Sequence, residues 1–157
     1  MLFRSTGDLR CATLSVPLDR SGSVPGTVAL NVRRLPARAV GTATSQAVVA
    51  LAGGPGQAAV PLTADFADAL GPLLSDRDLV VYDQRGTGGS DPLACDTSGS
   101  NAVEACAGLL GPARAFYRSI DSAEDIESLR ELGGYDKLVL YGVSYGKIGR
   151  ASCRERV

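Results

Sequence analysis

The 157-residue chain contains no histidine. No complete Ser-His-Asp or Cys-His site, and no zinc site with a histidine ligand, is therefore available within these residues. It also lacks any uninterrupted apolar run of the roughly 18 residues that a membrane-spanning helix needs. The opening stretch MLFRSTGDLR lacks the apolar core of an export signal. Excess charge of either sign is missing too: the net charge of −1 gives no reason to expect nucleic acid or an anionic membrane as partner. None of the four cysteines, Cys11, Cys95, Cys106 and Cys153, forms a C-x-x-C pair, which argues against a zinc ribbon. Neither a metal nor a cofactor is expected.

What is present is ordinary globular composition, 45% hydrophobic and 21% charged, in a length that suits one domain. Cys95 and Cys106 flank a polar, Gly/Ser-rich loop and a short helical segment. In an oxidising compartment they are placed to form a disulfide, worth about 2–3 kcal/mol through the unfolded state. In a reducing one they are two free thiols, and the sequence leaves both readings open.

Two stretches alternate apolar and polar residues. CATLSVPLD (11–19) and TVALNVRRL (27–35) read as strands, joined by the turn material SGSVPG (21–26) into an antiparallel hairpin. In the second, Val28, Leu30 and Val32 share one face, and Asn31 and Arg33 the other. The pattern then changes. AVVALAGGPG (47–56), LVVYDQRGTGGS (79–90) and LVLYGVSYG (138–146) are continuous apolar runs that end in glycine-rich loops. Runs of this kind fit parallel strands covered on both sheet faces.

Helical segments lie between the runs. Residues 60–75 place Leu62, Phe66, Ala69 and Leu70 along one stripe, and 101–111 is a shorter helix ending at Gly111-Pro112. DSAEDIESLRELGG (121–134) is the strongest helix, with Asp121 as cap, Glu124 completing a capping box, and Ile126, Leu129 and Leu132 as its apolar stripe. Gly133-Gly134 fits a left-handed stop. The sum is an antiparallel hairpin followed by strand–helix–strand–helix–strand, an α/β fold with a parallel sheet. Right-handed crossovers put the strand at 79–82 beside that at 47–51, and that beside the strand at 137–141.

Ligands in open α/β sheets bind outside the carboxyl ends of the strands, so the three glycine loops are expected to converge. Gly142-Val143-Ser144-Tyr145-Gly146 matches G-x-S-x-G, a sharp strand-to-helix turn with a nucleophilic serine at its tip. The backbone N–H of Tyr145 and one N–H of the GGPG loop, which opens with Gly53 and Gly54, would form an oxyanion hole. The loop DQRGTGGSD (83–91) contains no G-K-[ST] and does not complete G-x-G-x-x-G, so it is not read as a phosphate loop. Asp83 and Arg85 are expected to brace it, by pairing with backbone or with each other.

In this order, the three motifs resemble the α/β-hydrolase fold. More narrowly, LAGGPGQ (51–57), VVYDQRGTGGSDP (80–92) and YDKLVLYGVSYG (135–146) look like the proline iminopeptidase and tripeptidyl aminopeptidase group of serine peptidases. CATLSVPLDR (11–20) is similar to the opening strand of the secreted tripeptidyl aminopeptidase branch. The resemblance implies Ser144 as nucleophile, Tyr145 and Gly54 as oxyanion donors, a peptide or ester substrate in the intact protein, and an extracellular or cell-envelope location. Proline iminopeptidases usually have His before the two glycines, where this chain has Ala52. An esterase or lipase-like enzyme with the same elbow is the alternative, and a non-catalytic binding module that retains the loops is another.

The helix that should follow the elbow is not legible in KIGRASCRERV (147–157). Read as codons, IGRASCRERV is compatible with ATC GGA AGA GCG TCG TGT AGG GAA AGA GTG, part of a short-read sequencing adapter. Residues 1–146 are accordingly expected to be the N-terminal part of a hydrolase core, and 147–157 a non-native tail.

Overall fold

The computed structural model describes residues 4–6, 9–38, 45–96 and 98–147. Residues 148–157, nearly all of the expected non-native tail and with them Cys153, lie outside the described residues. Six strands form one mixed sheet in the order β1-β2-β3-β5-β4-β6. Strands β2 (Leu9–Pro17) and β3 (Thr27–Leu35) make the expected hairpin, paired from Arg10↔Arg34 to Pro17↔Thr27. A short β1 (Arg4–Thr6), unforeseen in the sequence, adds antiparallel to β2. The strand read as 11–19 stops at Pro17, because Asp19 turns the chain: its carboxylate accepts hydrogen bonds from the N–H groups of Ser21 at 2.8 Å and Val24 at 2.9 Å. The Ser21 hydroxyl, foremost among these donors, holds the Asp19 carboxyl below its ordinary value although burial opposes this.

The three apolar runs become β4 (Gln46–Leu51), β5 (Asp78–Tyr82) and β6 (Lys137–Gly142). All pair in parallel, β5 and β6 on either side of β4, as the crossover argument requires. Strand β3 closes onto β5 antiparallel, from Val32↔Tyr82 to Leu35↔Leu79. Ala47 to Leu51 are fully buried because a layer covers each face. On one side Val49, Leu51 and Tyr82 pack with Ile126, Leu129 and Tyr135. On the other Val48, Ala50 and Val81 pack with Phe66, Leu70 and Leu74. Each fully buried valine or leucine among them contributes about 1.5–3 kcal/mol relative to exposure. The outer edge of β6 has no strand partner among the described residues, and Val139 on it is 41% exposed.

The helices differ from their sequence reading in detail. Residues 60–75 are not one helix but a 3-10 turn (Val60–Leu62), a short α1 (Thr63–Ala69) and a second 3-10 turn (Gly71–Leu74). Pro61 and Pro72 each sit in the first turn of a 3-10 segment, where the missing N–H costs nothing, and Gly71-Pro72 stops α1. Of the expected stripe, Phe66 and Leu70 are buried, whereas Ala69 is exposed. Helix α2 (Ala102–Leu110) forms where expected but buries no residue. Helix α3 (Ser119–Gly133) begins earlier than read: Arg118 is the cap residue, and Asp121 is the third helical residue. Asp121 accepts the Arg118 N–H at 3.0 Å, so it does the work of the box acid that was assigned to Glu124. Ile126 and Leu129 face the sheet, but Leu132 is 54% exposed, because the helix ends beyond the sheet's cover. Gly134 supplies the left-handed stop at φ 70°.

A buried carboxylate marks the start of β5. Asp78 accepts from Arg34 Nε at 2.6 Å, the Ala37 N–H at 2.9 Å and the Tyr135 hydroxyl at 2.7 Å. It thereby ties β3, the segment after it and the turn before β6 together. Burial first, and then Asp78, push the Tyr135 phenol well above its ordinary value.

Candidate active site

The apolar strand β6 runs straight into the elbow. Ser144 sits at its tip with φ 52°, a left-handed conformation that costs a residue with a side chain about 1–3 kcal/mol. The turn is held by Val143 N–H to the Leu51 carbonyl at 3.1 Å, Gly146 N–H to the Val143 carbonyl at 2.9 Å and Lys147 N–H to the Ser144 carbonyl at 3.1 Å. A helical turn starts at Gly146 and Lys147.

The spacing of the two outer glycines has a steric cause. A Cβ on Gly142 would lie 2.6 Å from the backbone of Gly146, across the turn. A Cβ on Gly146 would lie 2.6 Å from the Leu51 carbonyl oxygen and 2.7 Å from that of Ala52. Both obstacles are backbone, which cannot swing aside as a side chain can. We expect Gly146→Ala to lower unfolding stability in urea by about 1–3 kcal/mol, the usual cost of overpacking. An unchanged midpoint would show that the elbow has room that the geometry denies it.

The glycine loop after β4 comes to the same place. A Cβ on Gly53 would lie 2.9 Å from the Ser144 Cβ and 3.4 Å from its Oγ. Gly54 has φ 105°, a conformation open to glycine. Among the described residues, no acceptor takes the N–H of Gly54 or of Tyr145, and the Ser144 hydroxyl has no hydrogen-bond partner. Ser144 is exposed. The structure therefore brings Ser144, Tyr145, Gly53 and Gly54 together at the carboxyl end of the parallel strands.

Asp83 and Arg85 leave the end of β5 toward opposite sides of the sheet. The sequence left it open whether they pair with backbone or with each other; they do not pair with each other. Asp83, 1% exposed, accepts from the Val60 N–H at 2.8 Å, the Gly89 N–H at 2.9 Å and Asn31 Nδ2 at 3.0 Å. It thus anchors the chain just after the GGPG loop. Arg85 donates to the carbonyls of Leu18, Phe116 and Pro17 and to both oxygens of Asp125, at 2.6 and 2.7 Å. Arg20 reaches the same Asp125 at 3.0 Å.

Asp125 and Arg20 were not singled out from the sequence, and Asn31 was placed only on the polar face of its strand. An acid beside Ile126, within the apolar stripe of α3, was the available signal for Asp125. Cys95 and Cys106 are joined in a disulfide with Cα atoms 5.4 Å apart, and Cys11 is free. Among the described residues no group of three or more His, Cys, Asp or Glu is placed to hold a metal ion. No helix among them is long and apolar enough to cross a membrane.

Two hollows flank the glycine loop. One, of about 300 Å³, lies toward α1 and is lined by Gly53, Phe66, Tyr141 and Val143 among others. The second, of about 110 Å³, is bounded by Pro55, Gly56, Gln84, Ser119, Ser122 and Tyr145, with both Arg85 and Arg118 at its wall.

Comparison with known proteins bears on the fold. No curated protein matches the chain. Among solved structures it is similar to Cfl2 from Burkholderia cenocepacia, at 16% identity and TM-score 0.57 over 99% of this chain and 40% of that one. It is also similar to homoserine O-acetyltransferase from Staphylococcus aureus, at 15% identity and TM-score 0.58 over 94% of this chain and 43% of that one. An alpha/beta hydrolase from Novosphingobium aromaticivorans DSM 12444 aligns at 17% identity and TM-score 0.52, over 93% and 39% of the two chains. The chain thus spans about two fifths of the length of these structures, and at such identities the likeness concerns the fold. Residues 46–146 match the family model described as alpha/beta hydrolase fold. The chain, with its elbow after β6 and its glycine loop after β4, belongs to the α/β-hydrolase fold family.

Proposed function

We propose that this chain carries the nucleophile and the oxyanion hole of a serine hydrolase. The observation that carries the reading is the meeting of a strained, exposed Ser144 at φ 52° with the backbone of Gly53, where a single Cβ would already collide. Strain of this kind persists only where surrounding structure enforces it. In the proposed reaction the Ser144 hydroxyl attacks an acyl carbon. The N–H groups of Tyr145 and Gly54 stabilise the oxyanion; its collapse breaks the bond to the amine or alcohol, which leaves with the serine's proton, and water then cleaves the ester formed on Ser144. The base that takes the serine proton must come from outside these 157 residues, because the chain has no histidine.

Within the family, we favour an aminopeptidase that releases amino-terminal residues or short peptides. The support is the resemblance of VVYDQRGTGGSDP, residues 80–92, to that group of peptidases. A fluorophosphonate probe tests the nucleophile. It should label Ser144 in a protein in which further chain supplies the histidine, and label nothing after Ser144→Ala. Labelling that survives this substitution would refute the assignment. Efficient labelling of the 157-residue chain alone would refute the requirement for an external base.

A further inference from the structure

Helix α3 presents its amino terminus to the smaller hollow beside the elbow. Ser119, its first residue, and Ser122, one turn further, both line that hollow with Tyr145 and Gln84. Among the described residues no acceptor takes the N–H of Ser119 or Ile120. These are orphan donors of a 15-residue helix, at the end where its dipole favours negative charge.

The side chains add an independent signal. Ser122 is 7% exposed, yet its hydroxyl has no partner among the described residues. Every fully buried side-chain nitrogen or oxygen among them does have a partner. The Ser122 hydroxyl therefore keeps accessible surface, and Ser122 is one of the residues that line the hollow. The Gln84 amide is likewise unpartnered among the described residues. Ser119 Oγ and the Tyr145 hydroxyl stand 3.4 Å apart, beyond the usual O–H···O range, so both keep capacity for a further bond.

Charge narrows the class of ligand. No aspartate or glutamate lines the hollow. Asp121 and Asp125, on the same helix, are already engaged, Asp121 with Arg118 and Asp125 with Arg85 and Arg20. All five N–H donors of Arg85 are used internally, so it offers nothing to a ligand. The hollow is thus rich in donors and has no carboxylate to hold a cation. At about 110 Å³ it admits only a small group.

We propose that this hollow is a substrate subsite for a short group ending in a carbonyl, either an amide or a carboxylate, borne next to the acyl carbon. Its place in turnover rests on the reading of Ser144 as nucleophile; the binding itself does not. A substrate ammonium is held elsewhere.

Titration of the ¹⁵N-labelled chain with propionamide, propionate and propylammonium, followed by amide chemical shifts, tests this. We expect saturable shifts at Ser119, Ile120, Ser122 and Tyr145 with propionamide or propionate, in the range of about 1–100 mM that suits ligands so small. Tighter binding of propionamide identifies a neutral side chain as the natural group, and tighter binding of propionate identifies a carboxylate. Ser122→Ala, which keeps a strong helix former, should weaken the preferred ligand about 5–10-fold, as loss of one hydrogen bond does. The proposal is overturned if propylammonium shifts the same amides equally, if neither carbonyl ligand saturates there, or if Ser122→Ala binds as the parent does. Intact amide binding without fluorophosphonate labelling of the histidine-supplied protein would sink the catalytic reading alone. Labelling without amide binding would sink the subsite alone.

Discussion

Arg85→Met is expected to destabilise the chain by about 3–5 kcal/mol, the cost of breaking a buried ion pair and leaving one charge behind. Arg85 is 4% exposed and Asp125 is fully buried. Burial opposes the Arg85 charge, while the hydrogen-bonded Asp125 more than offsets this and raises its pKa. The same guanidinium ties together the end of β2, the segment before α3 and α3 itself through the Pro17, Phe116 and Asp125 contacts. Arg20 keeps one bond to Asp125, which places the loss toward the lower end of that range. Arg85→Lys should not rescue, because a single ammonium cannot serve five separately aimed acceptor contacts. The double variant Arg85→Met/Asp125→Leu should recover part of the loss, since no buried charge is left unpaired and Arg20, its side chain 32% exposed, can turn to water. Urea unfolding of the three variants at neutral pH measures this. A loss of less than about 1 kcal/mol for Arg85→Met, the range of a surface pair, would show that the network is peripheral.

The largest kinetic effect is expected at Ser144. The 157-residue chain should hydrolyse neither aminoacyl anilides nor nitrophenyl esters measurably, because no histidine is available to remove the serine proton. In a protein where further chain supplies that base, Ser144→Ala should lower kcat on the order of 10⁶-fold, with KM changed far less. The residual rate, about 10³–10⁴-fold over water, would come from the oxyanion donors and binding alone. Gly53→Ala offers a control of a different kind. Its Cβ would meet the Ser144 Cβ at 2.9 Å and displace Ser144 without removing its hydroxyl. Steady-state kinetics of the two variants discriminates them. If Ser144→Ala retains more than about a hundredth of the parent kcat, another group is the nucleophile.

Some of this architecture was written locally in the sequence. Alternation in CATLSVPLD and TVALNVRRL (11–19 and 27–35) specified a hairpin, because successive side chains on a strand point to opposite faces. Continuous apolar runs specified parallel strands, and the handedness of crossovers then put β4 between β5 and β6. Residues 142–146 specified an elbow because only glycine fits where the turn doubles back on Gly146 and presses on Leu51. Other features were decided in three dimensions. Residues 60–75 read as one helix, and how far Pro61 and Gly71-Pro72 break it depended on how Phe66 and Leu70 seat on the sheet. The Cys95–Cys106 disulfide was one of two open readings until the fold brought their Cα atoms to 5.4 Å.

The partner of Arg85 is the clearest case. Asp125 lies 40 residues further on, and no spacing rule connects them. Periodicity and turn chemistry act over a few residues, so a sequence states them directly. A buried charge pair exists only because the end of β5 and the inner face of α3 are packed against each other, and that juxtaposition belongs to the tertiary structure.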